Sequence, residues 1–267
     1  MADFHLLLTY LLLGSVVGVL AGLLGVGGGL VIVPVLLWAF TASGVASDVL
    51  VHLAVGSSLA SIVITSLAST YAHHRHQAIL WPVIRRLSPG IVAGALLGAG
   101  VAGWLPGPVL QRLFGGFAIG VALWMFSGGQ PHSHSGRLPG RLRMLGAGAL
   151  IGAVSAIVGI GGGSMTVPYL VWNGANIRNA VATSAACGVP IALAGSLGFA
   201  WAGWQQSSLP LHSTGFIHWP AVLGITATSM LTARLGARLA HSAPTTALRR
   251  VFALLLLGIG AKLALWG

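Results

Sequence analysis

The sequence predicts an all-α polytopic membrane protein built from two inverted-topology repeats of five helical elements each. Three observations predict this fold: the composition is apolar, the apolar residues form blocks, and the second half of the chain repeats the first. Of the 267 residues, 56% are hydrophobic and 6% are charged, whereas about a quarter of a soluble domain is charged. The blocks approach the roughly 20 residues that cross about 30 Å of hydrocarbon. The solvent for these blocks is therefore a lipid bilayer.

The first block begins at the N-terminus. Residues 1–10 contain no Lys or Arg, and their apolar run continues into the repeat, so we interpret this stretch as the first helix rather than a cleaved signal peptide. The net charge of +11 comes from 13 basic and two acidic residues. In a soluble protein it would suggest nucleic acid, but cytoplasmic loops of membrane proteins also collect Lys and Arg. We therefore attribute the charge to topology and expect no nucleic-acid partner.

The repeat is seen most clearly in two glycine-rich motifs, GVGGGLVIVP at 25–34 and GIGGGSMTVP at 159–168. Flanking residues recur at the same offset of 134, and residues from Trp81 onward recur at an offset of 138, beginning with Trp219. A tandem duplication explains both. We predict a first repeat at 1–126, a cytoplasmic linker at 127–143, and a second repeat at 144–267.

Each half contains five apolar segments, and an odd number inverts the second half relative to the first. With the linker cytoplasmic, 11 basic residues lie inside, and only Arg112 and Lys262 lie toward the outside. The positive-inside rule then puts both termini outside. The predicted segments are 6–24, 30–40, 50–71, 82–103, 109–126, 145–158, 164–173, 180–201, 217–237 and 247–266.

The segments at 30–40 and 164–173 are short, spanning about 15 Å as helix. We interpret the motifs before them as turns of broken or re-entrant hairpins, and we call residues 25–29 the first elbow and residues 159–163 the second elbow. Consecutive glycines allow a close backbone approach to a ligand. The helices that begin at Leu30 and Ser164 would aim free N–H groups and a positive dipole end at an anion. The alternative is that the glycines only let helices pack closely.

A second symmetric pattern is AVGSS at 54–58 with AVATS at 180–184. Its hydroxyls can donate hydrogen bonds to an oxyanion, or they can join helices to one another. Together with the elbows they form the predicted substrate-binding set: Gly27, Gly28, Gly29, Ser57, Ser58, Gly161, Gly162, Gly163, Ser164, Thr183 and Ser184.

These motifs resemble those of the TauE/SafE sulfite-exporter family across essentially the whole chain. The resemblance rests on both elbow motifs, the TSA stretch at 183–185, GFIHWP at 215–220 and RLGARLAH at 234–241. It implies a transporter of small sulfur-containing anions, namely sulfite, sulfate, thiosulfate, or organosulfonates such as sulfoacetate and taurine-related products. We expect the protein to be a multi-pass protein of the bacterial inner membrane. The two halves differ at Gln77, where the second half has Gly215, and at Ser57, where it has Thr183.

The remaining polar residues restrict the chemistry. Asp3 and Asp48 are the only acids, and the predicted topology leaves both near the outer surface, which disfavours a cation carrier. His52 and His218 at helix starts, and His73, His74 and His76 at a cytoplasmic end, are candidates for proton coupling, with an interfacial role as the alternative. The His-containing stretches at 73–76 and 132–134 lack Cys or carboxylate neighbours, so we predict neither a metal site nor a cofactor.

Two other functions compete with a carrier. One is a passive anion channel, which sequence does not separate from a carrier. The other is an intramembrane serine hydrolase using Ser164 and His218, but Leu30 occupies the position of Ser164 in the first half, and no catalytic context accompanies the pair. We therefore predict a protein that is not an enzyme, whose partners are a small sulfur-containing anion and membrane lipid. The direction of transport, the coupling ion and a homodimer are left open by the sequence.

Overall fold

The computed structural model of the protein describes residues 2–24, 29–127, 139–242 and 245–265. Within these ranges the chain is almost entirely helical, so the all-α prediction is confirmed. The elements are α1 (Ala2–Leu24), α2 (Gly29–Ala42), α3 (Ser47–Arg75), α4 (Trp81–Trp104), α5 (Gly107–Phe126), α6 (Arg141–Val158), α7 (Gly163–Trp172), α8 (Ile177–Ala202), β1 (Ser213–Thr214), β2 (Ile217–His218), α9 (Trp219–Ser242) and α10 (Thr245–Leu265).

The helices agree with the ten predicted segments, each of which overlaps one helix. Among the described residues, five helices are long and apolar enough to cross a membrane: α3, α4, α5, α6 and α8. Most boundaries differ from the prediction by one to five residues. Helix α2 has 14 residues and is therefore about 21 Å long. Helix α6 begins at Arg141, inside the predicted linker, while residues 128–138 of that linker lie outside the described ranges.

Local sequence explains where several helices begin and end. Helix α6 ends at Gly159, whose φ of +75° is the left-handed conformation that glycine adopts without steric cost. The Ile160 N–H then donates to the Ser155 carbonyl at 2.9 Å, which closes the last turn. Helix α8 begins after Asn176, whose side chain accepts a hydrogen bond from the Arg178 N–H at 3.1 Å. Pro82 and Pro108 occupy the first turns of α4 and α5, where no N–H is required.

Packing between the halves has the same pattern when the halves are exchanged. Helix α1 packs along α9, and its counterpart α6 packs along α4, while α3 packs on α8 and α5 on α10. The symmetry extends to residues. Gly14 lies against the backbone of Ile225, and its counterpart Gly148 lies against the backbone of Leu87. Such pairing is what a two-fold relation between the repeats would produce, and the orientation of each repeat in the membrane stays a prediction.

Small residues bring α4 and α6 into backbone contact. Gly90, Gly94 and Gly98 form one stripe on α4, and each faces the backbone of α6. Such stripes are a common way for membrane helices to approach closely. In the equivalent pair, Thr232 of α9 stands where α4 has Gly94, and its hydroxyl donates to the Ser15 carbonyl at 3.0 Å. Both interfaces approach closely, since Gly14 and Gly18 of α1 face the backbone of α9, and the α1–α9 interface adds this hydrogen bond.

The halves also share backbone geometry where their sequences differ. Gln77 and Gly215 both have a φ of +52°, a conformation uncommon for residues other than glycine. Each lies in the segment that leads into α4 or α9. The difference between Gln77 and Gly215 noted in the sequence is therefore a change of side chain, and the backbone conformation is retained.

The α4–α6 contact predicts a position-dependent effect of adding one methyl group. A Cβ on Gly94 would clash with the Ala149 carbonyl oxygen, whereas a Cβ on Gly100 of the same helix has nothing within 4 Å. We expect Gly94→Ala to destabilise the protein by about 1 to 3 kcal/mol, as overpacking does. Gly100→Ala should leave stability unchanged or raise it slightly. Thermal unfolding of both variants in detergent checks this, and equal melting temperatures would contradict the described interface.

Candidate substrate site at the glycine elbows

The second elbow presents a run of backbone N–H groups. Gly162, with a φ of +74°, is the N-cap of α7, and no side chain caps this helix. The N–H groups of Met165 and Thr166 donate to the Gly162 carbonyl. Among the described residues, the N–H groups of Gly161, Gly162, Gly163 and Ser164 have no acceptor. They lie at the positive end of the α7 dipole, where an anion is stabilised.

The first elbow is described only from Gly29, so the predicted site residues Gly27 and Gly28 lie outside the described ranges. Gly29 begins α2 and faces the second elbow. A Cβ added to Gly29 would lie 2.9 Å from the Ile160 Cα and 3.1 Å from the Gly159 carbonyl oxygen. A Cβ on Gly159 would in turn lie 2.9 Å from Val33 of α2. The described part of the first elbow is therefore in direct contact with the second.

The central parts of α3 and α8 hold the elbows. Ser58 of α3 is fully buried and donates its hydroxyl hydrogen to the Gly159 carbonyl at 2.9 Å. Gly161 packs on Ile62 of α3, and Gly188 of α8 approaches the Gly161 carbonyl oxygen. The elbow backbone thus lies about halfway along two long apolar helices. Irregular backbone at such depth is tolerated only where protein or a watery cavity surrounds it.

Ser57 and Thr183 make a symmetric pair of structural hydrogen bonds. The Ser57 hydroxyl oxygen accepts from the N–H of His218 at 2.9 Å, and the Thr183 hydroxyl oxygen accepts from the N–H of Leu80 at 3.0 Å. His218 directly precedes α9, and Leu80 directly precedes α4. Each hydroxyl therefore fastens one connecting segment, 213–218 or 76–80, to the central helix of the other repeat.

Several hydroxyls around the second elbow have no hydrogen-bond partner. Among the described residues, seven buried polar side-chain atoms are unpartnered, and four of them belong to Ser164, Thr166, Tyr169 and Ser184 on α7 and α8. Thr166 is fully buried, and its hydroxyl oxygen lies 3.2 Å from where a Cβ on Gly162 would be. Thr166 is not among the site residues predicted from the sequence.

The two histidines singled out from the sequence are engaged elsewhere. The His52 Nε2 lies 3.1 Å and 3.0 Å from the carbonyl oxygens of Ala102 and Leu105, at the end of α4. The His218 Nδ1 lies 3.2 Å from the Ser213 hydroxyl, and its ring packs edge-on against Tyr10 and Phe40. Within the described ranges, no hydrogen bond joins His218 to Ser164, and no group of three or more His, Cys, Asp or Glu residues could hold a metal.

A separate cleft of about 670 Å³ lies among α1, α2, α3, α5 and α10. Its lining is mostly apolar and includes none of the elbow residues, so it is distinct from the candidate site. Its polar members lie near helix ends, as expected of a surface between hydrocarbon and headgroups. The lining residues are Leu13, Pro34, Val35, Leu37, Trp38, Thr41, Leu50, Gln111, Ile259, Lys262 and Leu263.

Known proteins resemble the chain over nearly all of its length. The family model described as "Sulfite exporter TauE/SafE" matches residues 10–263. A probable membrane transporter protein of Haemophilus influenzae is 36% identical over 98% of this chain and 99% of its own. A probable membrane transporter protein of Methanocaldococcus jannaschii is 27% identical over 89% of this chain and 88% of its own. One of Bacillus subtilis is 23% identical over 94% of this chain and 94% of its own. No solved structure matches the chain. The chain therefore belongs to the sulfite exporter TauE/SafE family of membrane transporters.

Proposed function

We propose that the protein is a carrier for small sulfur-containing anions, such as sulfite or organosulfonates including sulfoacetate and taurine-related compounds, in the bacterial inner membrane. One observation supports the proposal: the start of α2 lies against the second elbow about halfway along α3 and α8, and four backbone N–H groups of that elbow have no acceptor among the described residues. Interrupted helices at corresponding positions of two repeats are typical of transporter binding sites.

The site suits an anion that must be released again. A helix N-terminus carries about half a positive charge, and free N–H and hydroxyl groups supply hydrogen bonds. These groups offset the loss of the anion's hydration without a buried Lys or Arg. A fixed cation at the same depth would bind more tightly and slow release. The proposed site comprises the two elbows with Ser164 and Ser184, framed by Ser57, Ser58 and Thr183.

The segments 76–80 and 213–218 supply a route to alternating access. Each is fastened by one hydroxyl, of Thr183 or Ser57, to the central helix of the opposite repeat. Rocking of one repeat against the other would release one of these hydrogen bonds while the other is kept. The site would then open to one side of the membrane at a time.

No observation favours the two alternative functions, a passive anion channel and an intramembrane serine hydrolase. The serine hydrolase requires a base beside Ser164, yet His218 packs with Tyr10 and Phe40 near the start of α9. We therefore propose that the protein is not an enzyme. The passive channel differs from a carrier in its kinetics, so flux measurements separate the two.

Reconstituted protein should transport labelled sulfite with saturable kinetics. We expect unlabelled sulfite on the opposite side of the vesicle membrane to accelerate uptake, because a carrier returns faster when loaded. Sulfonates should compete, whereas choline and ammonium should not, since the site attracts negative charge. Empty liposomes are the control. Flux that is linear in concentration and unaffected by sulfite on the opposite side would indicate a channel, and displacement by the cations would refute an anion site.

Topology is tested by single cysteines at Ser135 in the linker and Ser207 before α9. The natural Cys187 is fully buried, so its background labelling by a membrane-impermeant maleimide should be low. We expect the reagent to label Ser207→Cys in intact cells and Ser135→Cys only after lysis. Labelling of Ser135→Cys from outside the cell would overturn the inverted orientation.

A further inference from the structure

We propose that the side-chain hydrogen bonds to the transported anion come from the second repeat alone, through the hydroxyls of Ser164, Thr166 and Ser184, and that the side chains of the first turn of α2 form an apolar wall. This inference rests on the proposed function, which it makes more specific. It assigns Thr166 to the site and predicts that the two elbows contribute unequally to binding, although their sequences repeat.

The sequences of the two elbows differ where their helices begin. Ser164 and Thr166 of α7 correspond to Leu30 and Ile32 of α2. The first turn of α2 is fully packed, because Leu30, Val31 and Ile32 are each at most 5% exposed. An apolar first turn offers an anion the field of the helix dipole and no side-chain hydrogen bond. Side-chain donors therefore occur at the start of α7 and not at the start of α2.

The unpartnered hydroxyls of Ser164, Thr166 and Ser184 differ from most hydroxyls in the described helices, although those of Thr70 and Thr226 also lack partners. Ser and Thr in helices commonly donate to the carbonyl four residues earlier, and here that is the arrangement of Ser15, Thr41, Ser61, Thr65, Thr228 and Thr232. Thr166 and Ser184 are more than nine-tenths buried and have no partner among the described residues. Thr166 also faces Gly162, the residue that caps α7.

Two equivalent serines of the repeats also differ in whether their hydroxyls have hydrogen-bond partners. Ser58 and Ser184 occupy matching places in α3 and α8. Ser58 donates to the Gly159 carbonyl and so fastens the second elbow. Ser184 makes no such bond within the described ranges. Ser58 thus holds the framework, whereas the Ser184 hydroxyl has no partner among the described residues and can donate to a ligand.

Replacing an unpartnered hydroxyl at the second elbow should have opposite effects on the stability of the empty protein and on its affinity for the anion. A buried hydroxyl without a partner lowers the stability of the empty protein, since the hydroxyl has lost its water and gained nothing. Replacing it by an apolar group of similar size removes that penalty. The same replacement removes a donor to the anion. A hydroxyl that serves only packing would show no loss of binding.

The experiment compares Ser164→Ala, Thr166→Val and Ser184→Ala with two controls in purified, monodisperse protein. Thr228→Val removes a partnered helix hydroxyl on α9, away from the elbows. Ser58→Ala removes the hydrogen bond to Gly159. The readouts are the melting temperature without ligand and the dissociation constant for sulfite.

We expect the three elbow variants to melt at the wild-type temperature or above it. Each should bind sulfite about tenfold more weakly, because a hydrogen bond to a charged group is lost. Thr228→Val should bind normally, and Ser58→Ala should melt at a lower temperature. If wild-type protein binds sulfite and both Ser164→Ala and Thr166→Val bind it equally well, this inference is wrong and the proposed function stands. If wild-type protein responds to no sulfur-containing anion, the proposed function fails and the inference fails with it.

Discussion

The structure depends on four backbone N–H groups, of Gly161, Gly162, Gly163 and Ser164, that have no acceptor among the described residues and lie halfway along an apolar helical bundle. Unpaired backbone at that depth is unfavourable, because no bulk water can replace the missing hydrogen bonds. The neighbouring features accommodate it. Gly159 and Gly162 allow the chain to turn, α7 is only 10 residues long, and Ser58 of α3 holds the Gly159 carbonyl. A small anion would satisfy such a group of donors, which links the constraint on folding to the proposed function.

The repeats preserve backbone geometry more strictly than side chains. Gln77 and Gly215 share a φ of +52°, and the glycine contact at Gly94 has its counterpart in the hydrogen bond from Thr232 to Ser15. Divergence between the repeats has left hydroxyls at the start of α7 and aliphatic groups at the start of α2. A duplicated scaffold can therefore keep two equivalent halves for rocking motions while its ligand contacts become unequal.

Much of the fold was predictable because helix length in a bilayer is set by hydrocarbon thickness, and the apolar segments carry that length. The glycine motif at 159–163 marked the second elbow for a similar reason, since Gly159 and Gly162 adopt positive φ values that few other residues permit. The hydrogen bonds of Ser57 and Thr183 to the N–H groups of His218 and Leu80 were not predictable, because they depend on how distant segments dock. The unpartnered hydroxyl of Thr166 was not predictable, because its full burial depends on how α7 packs. The start of α6 was placed too late because Arg141 and Arg143 were assigned to the linker by their charge, although Arg favours helix.

The most direct test of the central claim observes the elbow amides themselves. Nitrogen-15 spectra of the protein in lipid bilayers, with glycine and serine labelled, would be recorded at increasing concentrations of sulfite and of choline chloride. We expect the amide resonances of Gly161, Gly162, Gly163 and Ser164 to shift with sulfite, with one common dissociation constant, and to stay unchanged with choline chloride. Saturable sulfite binding that leaves these four amides unperturbed would contradict an anion site at the elbows.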